Sequence, residues 1–310
     1  MLRVIGIAET KLGNCARRLG LAALALGFPM GAAAQEADAP VEAISDANPA
    51  DANPADASPA DASASGGAGA DLAQQLSNPI ANLISVPIQQ NIDLGIGPDN
   101  DGWRSTTNVQ PVVPVPINED WNLISRTILP VIYQECVTAR NQNQFGLGDT
   151  VQSVFFSPRE VGASGIIWGV GPAFLLPTAT DGALGGKKWG AGPTAVMLKQ
   201  SGPITVGLLA NQIWSVAGSD NRPDVSQAFI QPFLSYVTPT ATTFSVNAES
   251  SYNWKAEQWS VPINVSVSQL TKLGDQPVSL GLGGRYNVEK PEGGADWGLR
   301  FIVTFLFPTG

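Results

Sequence analysis

The chain has 310 residues, of which 44% are hydrophobic and 14% charged, and its formal net charge is -9. Soluble globular chains carry about 25% charged residues, so an ordinary water-soluble enzyme is disfavoured, and the negative charge argues against a nucleic-acid partner. Histidine is absent, which excludes Ser-His catalysis and His-ligated metals; we predict no enzyme and no catalytic, cofactor-binding or metal site.

The first 34 residues have the pattern of a secretory signal peptide. Lys11, Arg17 and Arg18 precede an apolar run over 19–30, which ends in small residues up to Ala34. A basic region, a short apolar region and an Ala-x-Ala site define such a signal. The run is too short for a membrane-spanning helix, so we predict a signal peptide over 1–34, cleaved after Ala34.

The next segment, 35–71, is predicted to be a disordered acidic leader. It carries eight acidic residues and no basic one, and a five-residue Asp-Ala-Asn/Ser-Pro-Ala repeat runs from 46 to 60. Recurrent proline opposes a helix, and little apolar surface is available to offset the entropy of ordering. The leader is either a spacer that docks a partner or a dispensable extension. A short helix over 71–77 is expected to plug the mouth of the domain that follows.

Apolar and polar residues alternate with a period of two over much of 72–310, which predicts β-strands. Trp259, Val261, Ile263, Val265 and Val267, for example, alternate with polar residues, which predicts one apolar and one polar face. The segments 121–133 and 147–157 break this parity and are expected to contain bulges. The twelve predicted strands lie near 82–92, 104–117, 121–133, 147–157, 165–176, 189–199, 203–216, 225–237, 243–254, 259–268, 278–288 and 298–307.

The number of strands and their connections predict an all-β fold, an antiparallel transmembrane β-barrel of about 12 strands over 72–310. An even strand number, alternating long and short connections and aromatic residues at strand ends are typical of outer-membrane barrels. We therefore expect a location in the cell outer membrane, with outer-membrane lipids, the barrel-insertion machinery and small solutes as partners. The alternative is a soluble β-sandwich. The tryptophans at predicted strand ends are Trp103, Trp121, Trp189, Trp254, Trp259 and Trp297.

Four polar residues of the last strands are the candidate lumen site. Glu249, Asn264, Arg285 and Arg300 share the polar parity, and hairpin turns near 256, 274 and 292 would place them side by side. Arg285 would then face Arg300 directly, which is unfavourable without an intervening acid or anion. The row is either a charged constriction that sets selectivity or a structural ion-pair row neutralised by Glu249 or by a residue across the barrel.

Several motifs carry a resemblance to one family. They are Gln-Pro-Val-Val-Pro at 110–114, Trp-Gly-x-Gly-Pro at 168–172 and again at 189–193, with further matches at 119–128, 145–149, 175–181 and 231–233. Over about residues 72–308 the chain resembles the outer-membrane family named after the meta-pathway of phenol degradation, whose members are often labelled transporters or, mistakenly, neuromedin U. The resemblance implies an outer-membrane channel or transporter for small solutes, hydrophobic or aromatic ones included. The alternative function is a closed structural or anchoring barrel.

Overall fold

The structure, a computed structural model, describes residues 59–308, with side chains from residue 67 onward. The predicted signal peptide, its cleavage site and the leader up to residue 58 lie outside the described residues. Within the described part the chain forms one helix and fifteen strands. No helix in this part is long and apolar enough to cross a membrane.

The strands form a single antiparallel sheet that closes on itself, because the first strand pairs with the last. Three barrel strands are each interrupted once (β2 with β3, β5 with β6, β11 with β12), so the described residues form a twelve-stranded barrel. This confirms the predicted fold class. The bounds are β1 (Ile84–Ile96), β2 (Gly102–Val109), β3 (Val112–Pro116), β4 (Trp121–Glu135), β5 (Asn143–Leu147), β6 (Thr150–Pro158), β7 (Ile166–Leu176), β8 (Lys188–Ser201), β9 (Ile204–Gly218), β10 (Ser226–Val237), β11 (Thr242–Ala248), β12 (Ser250–Asn253), β13 (Gln258–Leu273), β14 (Gln276–Glu289) and β15 (Trp297–Phe307).

The interruptions occur where a regular ladder cannot continue. Pro111 separates β2 from β3 and has no N–H to donate. Between β5 and β6, residues 148–150 lie opposite only two residues of β4, which is a bulge. The break between β11 and β12 lies opposite Pro262 of β13. The bulge expected within 147–157 is therefore found at its start.

The bulge expected within 121–133 is not found, because β4 runs without interruption over residues 121–135. The parity is lost there for another reason. Leu123 and Leu129 face outward, whereas Ile124 is fully buried on the lumen side. Alternation disappears because both faces of this strand carry apolar residues.

The burial of the two faces of the barrel is the reverse of that in a water-soluble protein, because the apolar face is exposed and the polar face is buried. Val206 and Leu282 face outward and are each 52% exposed, whereas Thr205 and Ser279 face the lumen and are 0% and 5% exposed. A soluble sandwich would bury its apolar face against a second sheet. The exposed apolar exterior therefore excludes the sandwich and matches a barrel with its apolar face towards lipid.

The lumen has one apolar wall and one charged wall. The apolar wall is formed by strands β3 to β9 and consists of Val112, Ile124, Phe155, Val196, Leu198 and Leu209. The charged wall is formed by β1, β2, β14, β15 and the β11–β12 break, and consists of Asp93, Arg104, Glu249, Arg285 and Arg300. Because the lumen side is apolar over half of the barrel, polar parity identifies lumen residues reliably only on the other half.

The two ends of the barrel differ in their connections. The short-turn end is made by 117–120, 159–165, 202–203, 238–241 and 274–275, and the long-loop end by 97–101, 136–142, 177–187, 219–225, 254–257 and 290–296. Exposed tryptophans lie at both ends: Trp121 and Trp168 at the short-turn end, and Trp189, Trp254, Trp259 and Trp297 at the long-loop end. Two belts of this kind are typical of membrane barrels. The prediction was wrong for Trp103, which is buried and packs against Tyr133 with ring centroids 5.1 Å apart.

A helix precedes the barrel and begins inside the segment that we predicted to be disordered. The helix α1 spans Pro59–Leu76 and therefore overlaps residues 59–71 of the predicted leader. Pro59 is the last proline of the repeat, and the next proline is Pro79. Proline is well tolerated in the first helical turn, and the proline-free stretch that follows lets the helix continue.

The end of α1 and the residues after it form a plug, residues 70–83, in the short-turn end of the barrel. The Gln74 amide donates to Thr205 Oγ1 at 2.9 Å, and the Gln200 amide donates to the Gln74 carbonyl at 2.8 Å. Ile80, 5% exposed, packs into the apolar wall beside Phe155. The expectation of a short helix over 71–77 that plugs the barrel mouth is confirmed, and the plug reaches further into the lumen than expected.

The two Trp-Gly-x-Gly-Pro motifs lie side by side on β7 and β8, where Pro172 pairs with Pro193. Their glycines allow a close approach of backbones. A Cβ on Gly171 would overlap the carbonyl oxygen of Val154, and a Cβ on Gly192 would overlap that of Gln212. The motifs therefore have a structural role in the curvature of β6 to β9.

Candidate functional site in the barrel lumen

Arg300 is the centre of the charged wall. It is buried on β15, and its Nη1 and Nη2 donate to Glu249 Oε1 and Oε2 at 2.9 and 2.8 Å. Its Nε donates to Asn91 Oδ1 at 2.8 Å. This two-pronged arrangement is the strongest geometry available to a guanidinium and a carboxylate. It joins the break between β11 and β12 to the closing strand through the lumen.

Arg285 forms a second ion pair beside the first. Its Nη1 lies 3.2 Å from Oδ1 of Asp93 on β1, and both side chains are largely buried. Each arginine of the predicted row thus has its own carboxylate. Of these two carboxylates, Glu249 was among the predicted site residues and Asp93 was not.

The predicted direct opposition of Arg285 and Arg300 was wrong. In the β14–β15 ladder Arg285 lies opposite Gly298, and Arg300 lies opposite Gly283. The ladder is shifted from the expected register so that each guanidinium faces a residue without a side chain. This separates two like charges that would otherwise repel each other across the hairpin.

Asn264 lies beside Arg285 in the β13–β14 ladder, as the sequence analysis expected. Its other neighbour is Asn247 instead of Glu249, and the Asn264 amide donates to Asn247 Oδ1 at 2.8 Å. Glu249 lies at the interruption between β11 and β12, where its N–H donates to the Pro262 carbonyl at 3.1 Å. The structure places all four predicted residues on the lumen face; whether they set selectivity stays a prediction.

Three further charged lumen residues were missed in the sequence analysis. Asp93 was assigned to a loop, because β1 extends further than expected. Arg104 was the first residue of the predicted strand 104–117 but was not assigned to the lumen site. Arg126 lies in the segment without clear parity. A usable signal existed, since a charged residue inside a membrane strand has to face the lumen.

Arg104 and Arg126 differ from the other two arginines in their partners. Arg104 Nε donates to Gln134 Oε1 at 2.8 Å. Arg126 Nη2 makes a long hydrogen bond of 3.4 Å to Gln110 Oε1. Among the described residues neither guanidinium has a carboxylate within 4 Å. The lumen site thus holds four arginines against the two carboxylates Asp93 and Glu249, and the excess charge is positive.

Two cavities lie next to each other in the lumen. The loop-side cavity has a volume of about 250 Å³ and the plug-side cavity about 270 Å³. Arg126, Leu209 and Gln231 line both of them. The plug-side cavity is closed in part by Ala73 and Leu76 of the plug. The two cavities therefore meet at residues of β4, β9 and β10.

The comparisons with known proteins agree with this architecture. No family model and no curated protein matches the chain. Among solved structures, the chain is similar to the COG4313 outer membrane channel from Pseudomonas putida F1, with a TM-score of 0.57 and 13% identity over 73% of this chain and 96% of that one. It also aligns with outer membrane phospholipase A from Escherichia coli, with a TM-score of 0.41 and 12% identity over 77% and 98% of the two chains.

The class of protein that follows is an outer-membrane-type β-barrel, with a fold shared with a channel. The fold and these similarities support a location in an outer membrane.

The expectation that the chain is not an enzyme needs correction. It rested on the absence of histidine, but the similar structures include a phospholipase. The similarity to that enzyme is too weak to carry an argument for a phospholipase activity here.

Proposed function

We propose that this chain is an outer-membrane channel or transporter for small solutes, with apolar and aromatic compounds among them. The observation that carries the proposal is the pair of lumen cavities that meet at Arg126, Leu209 and Gln231. Cavities in series along a barrel axis are what a stepwise solute path requires. The short-turn end, which holds the plug, would face the periplasm.

The preference for apolar solutes is supported by the apolar side of the loop-side cavity. Leu175, Leu209, Ile213 and Phe229 line it together with amide side chains. Burial of apolar surface against such a wall contributes about 25 cal/mol per Å². The resemblance to the family of the phenol meta-pathway points in the same direction.

The plug favours a second function, a closed structural or anchoring barrel. Ile80 and the hydrogen bonds of Gln74 hold the plug in the lumen. If the plug never leaves, solutes cannot pass and the leader before it could only serve as a tether. The two functions differ in whether the plug can be displaced.

Conductance in planar bilayers, together with uptake of radiolabelled toluene by cells that produce the barrel, distinguishes them. Ile80→Asn removes the apolar anchor of the plug and should increase conductance and uptake over wild type. Val161→Asn, on the exposed connection 159–165, is the matched control and should change neither. If wild type and Ile80→Asn both behave like protein-free controls, the closed barrel is the correct function.

We also propose that the signal peptide is cleaved after Ala34 and that the insertion machinery recognises β15. The outward row of β15 consists of apolar and aromatic residues, Leu299, Phe301, Val303, Phe305 and Phe307. Replacement of Phe305 and Phe307 by Ala should reduce the amount of barrel inserted in the outer membrane. An undiminished amount of heat-modifiable barrel would contradict this role.

A further inference from the structure

We propose that Arg126 binds the anionic headgroup of an amphipathic solute in the lumen, a carboxylate attached to a small aromatic or aliphatic body. This deepens the proposed function and rests on it, because it names the chemical class of one solute.

Most N–H donors of Arg126 have no hydrogen-bond acceptor among the described residues. A guanidinium has five N–H donors, and the described residues give Arg126 one long hydrogen bond, from Nη2 to Gln110 Oε1 at 3.4 Å. Arg300, in contrast, donates three hydrogen bonds in this lumen. Its acceptors are both carboxylate oxygens of Glu249 and the amide oxygen of Asn91. Compared with Arg300, Arg126 lacks a bidentate acceptor.

The position of Arg126 gives a solute access to these donors. Its side chain lines the loop-side cavity, the plug-side cavity and a third cavity of about 150 Å³ between the plug and strands β1 to β4. A carboxylate that reached any of these spaces could accept two parallel hydrogen bonds from one guanidinium. Since Arg126 borders all three cavities, its charge is available to a solute in each of them.

The surface beside Arg126 fits the remainder of such a solute. Ile128, Val151 and Leu209 line the loop-side cavity together with Arg126. Glu249 also lines this cavity, and its carboxylate is already held by Arg300. Ligand pockets for drug-sized molecules span roughly 300–1,000 Å³, so a cavity of about 250 Å³ suits a smaller body such as a single aromatic ring. The apolar wall and the unpaired cation together select amphipathic anions over ions without an apolar part.

The test compares benzoate with benzyl alcohol, which has the same ring but no charge. Binding is measured by equilibrium dialysis on the purified full-length barrel in non-ionic detergent at constant ionic strength. Wild type should bind benzoate at least tenfold more tightly than benzyl alcohol. Arg126→Gln should reduce benzoate affinity at least tenfold and leave benzyl alcohol binding unchanged, and Arg126→Lys should give an intermediate value.

Arg140→Gln is the matched control, because Arg140 is an exposed arginine paired with Asp99 on the long-loop end. It should leave benzoate binding at the wild-type value. Heat-modifiable gel mobility establishes that each variant is folded, and Arg126→Lys keeps the test valid if Arg126→Gln does not fold. The proposal is overturned if wild type does not prefer benzoate or if the Arg126 variants bind it as wild type does. A channel that conducts yet shows no role for Arg126 would refute this inference alone, whereas a barrel that transports nothing would refute the proposed function.

Discussion

Replacement of Glu249 by Gln should destabilise the barrel substantially. The Arg300 side chain is 4% exposed and that of Glu249 24%, so the pair is screened little by water. Removal of one partner of a buried ion pair costs about 3–5 kcal/mol, because the remaining charge is left without compensation. Glutamine keeps one acceptor for Arg300 and Asn91 keeps another, so we expect about 2–3 kcal/mol.

Urea unfolding of the barrel in lipid vesicles, followed by tryptophan fluorescence, measures this change. With slopes of about 1–3 kcal/mol per M, the midpoint should fall by about 0.7–3 M. The double variant Glu249→Gln with Arg300→Gln removes both charges and should lose less stability than the two single variants added together. If Glu249→Gln stays within about 0.5 kcal/mol of wild type, the ion pair does not hold the lumen wall and the reasoning fails.

Three further predictions concern other parts of the chain. Gly192→Ala should destabilise the barrel by about 1–3 kcal/mol in the same unfolding assay, because its Cβ would overlap the Gln212 carbonyl oxygen, whereas Gly284→Ala, with open space around the added methyl, should not. Arg140 lowers the pKa of the Asp99 carboxyl by its hydrogen bond, so this pair stabilises the fold above the ordinary carboxyl pKa of about 4 and loses its effect as pH falls through the lowered value. Arg140→Gln should raise the Asp99 pKa towards its ordinary value in a carboxyl NMR titration, and an unchanged value would refute the pairing. N-terminal sequencing of the outer-membrane fraction should begin at Gln35, and an intact Met1 in inner membranes would contradict cleavage.

The barrel could be predicted from the sequence because its lipid-facing side is apolar on almost every strand. Strand β13 is a clear case, with Val261, Ile263, Val265 and Val267 at alternate positions. The period-two pattern did not identify the two faces of β4, where Ile124 and Ile128 face the lumen beside Arg126. A period-two pattern shows two different faces, so it disappears where both faces are apolar.

The pairing of the charged residues could not be predicted, because it depends on register and on contacts through the lumen. The parity gave the correct face for Arg285 and Arg300. It could not give the shift that places Gly283 and Gly298 opposite them. Asp93 lies far from Arg285 in the sequence, and the two meet only because β1 closes the barrel against β15.

The arrangement of charges in the lumen separates structural arginines from an arginine available for binding. Arg285 and Arg300 connect strands that meet where the barrel closes, and their carboxylates leave them no net charge to offer. Arg126 borders cavities lined by both apolar and polar side chains, Glu249 among them, and a buried cation without a carboxylate within 4 Å is unfavourable unless water or an anion lies beside it. The three cavities that border it provide space for either. The same barrel can therefore hold its wall together through paired charges and still present one cation where the loop-side and plug-side cavities meet.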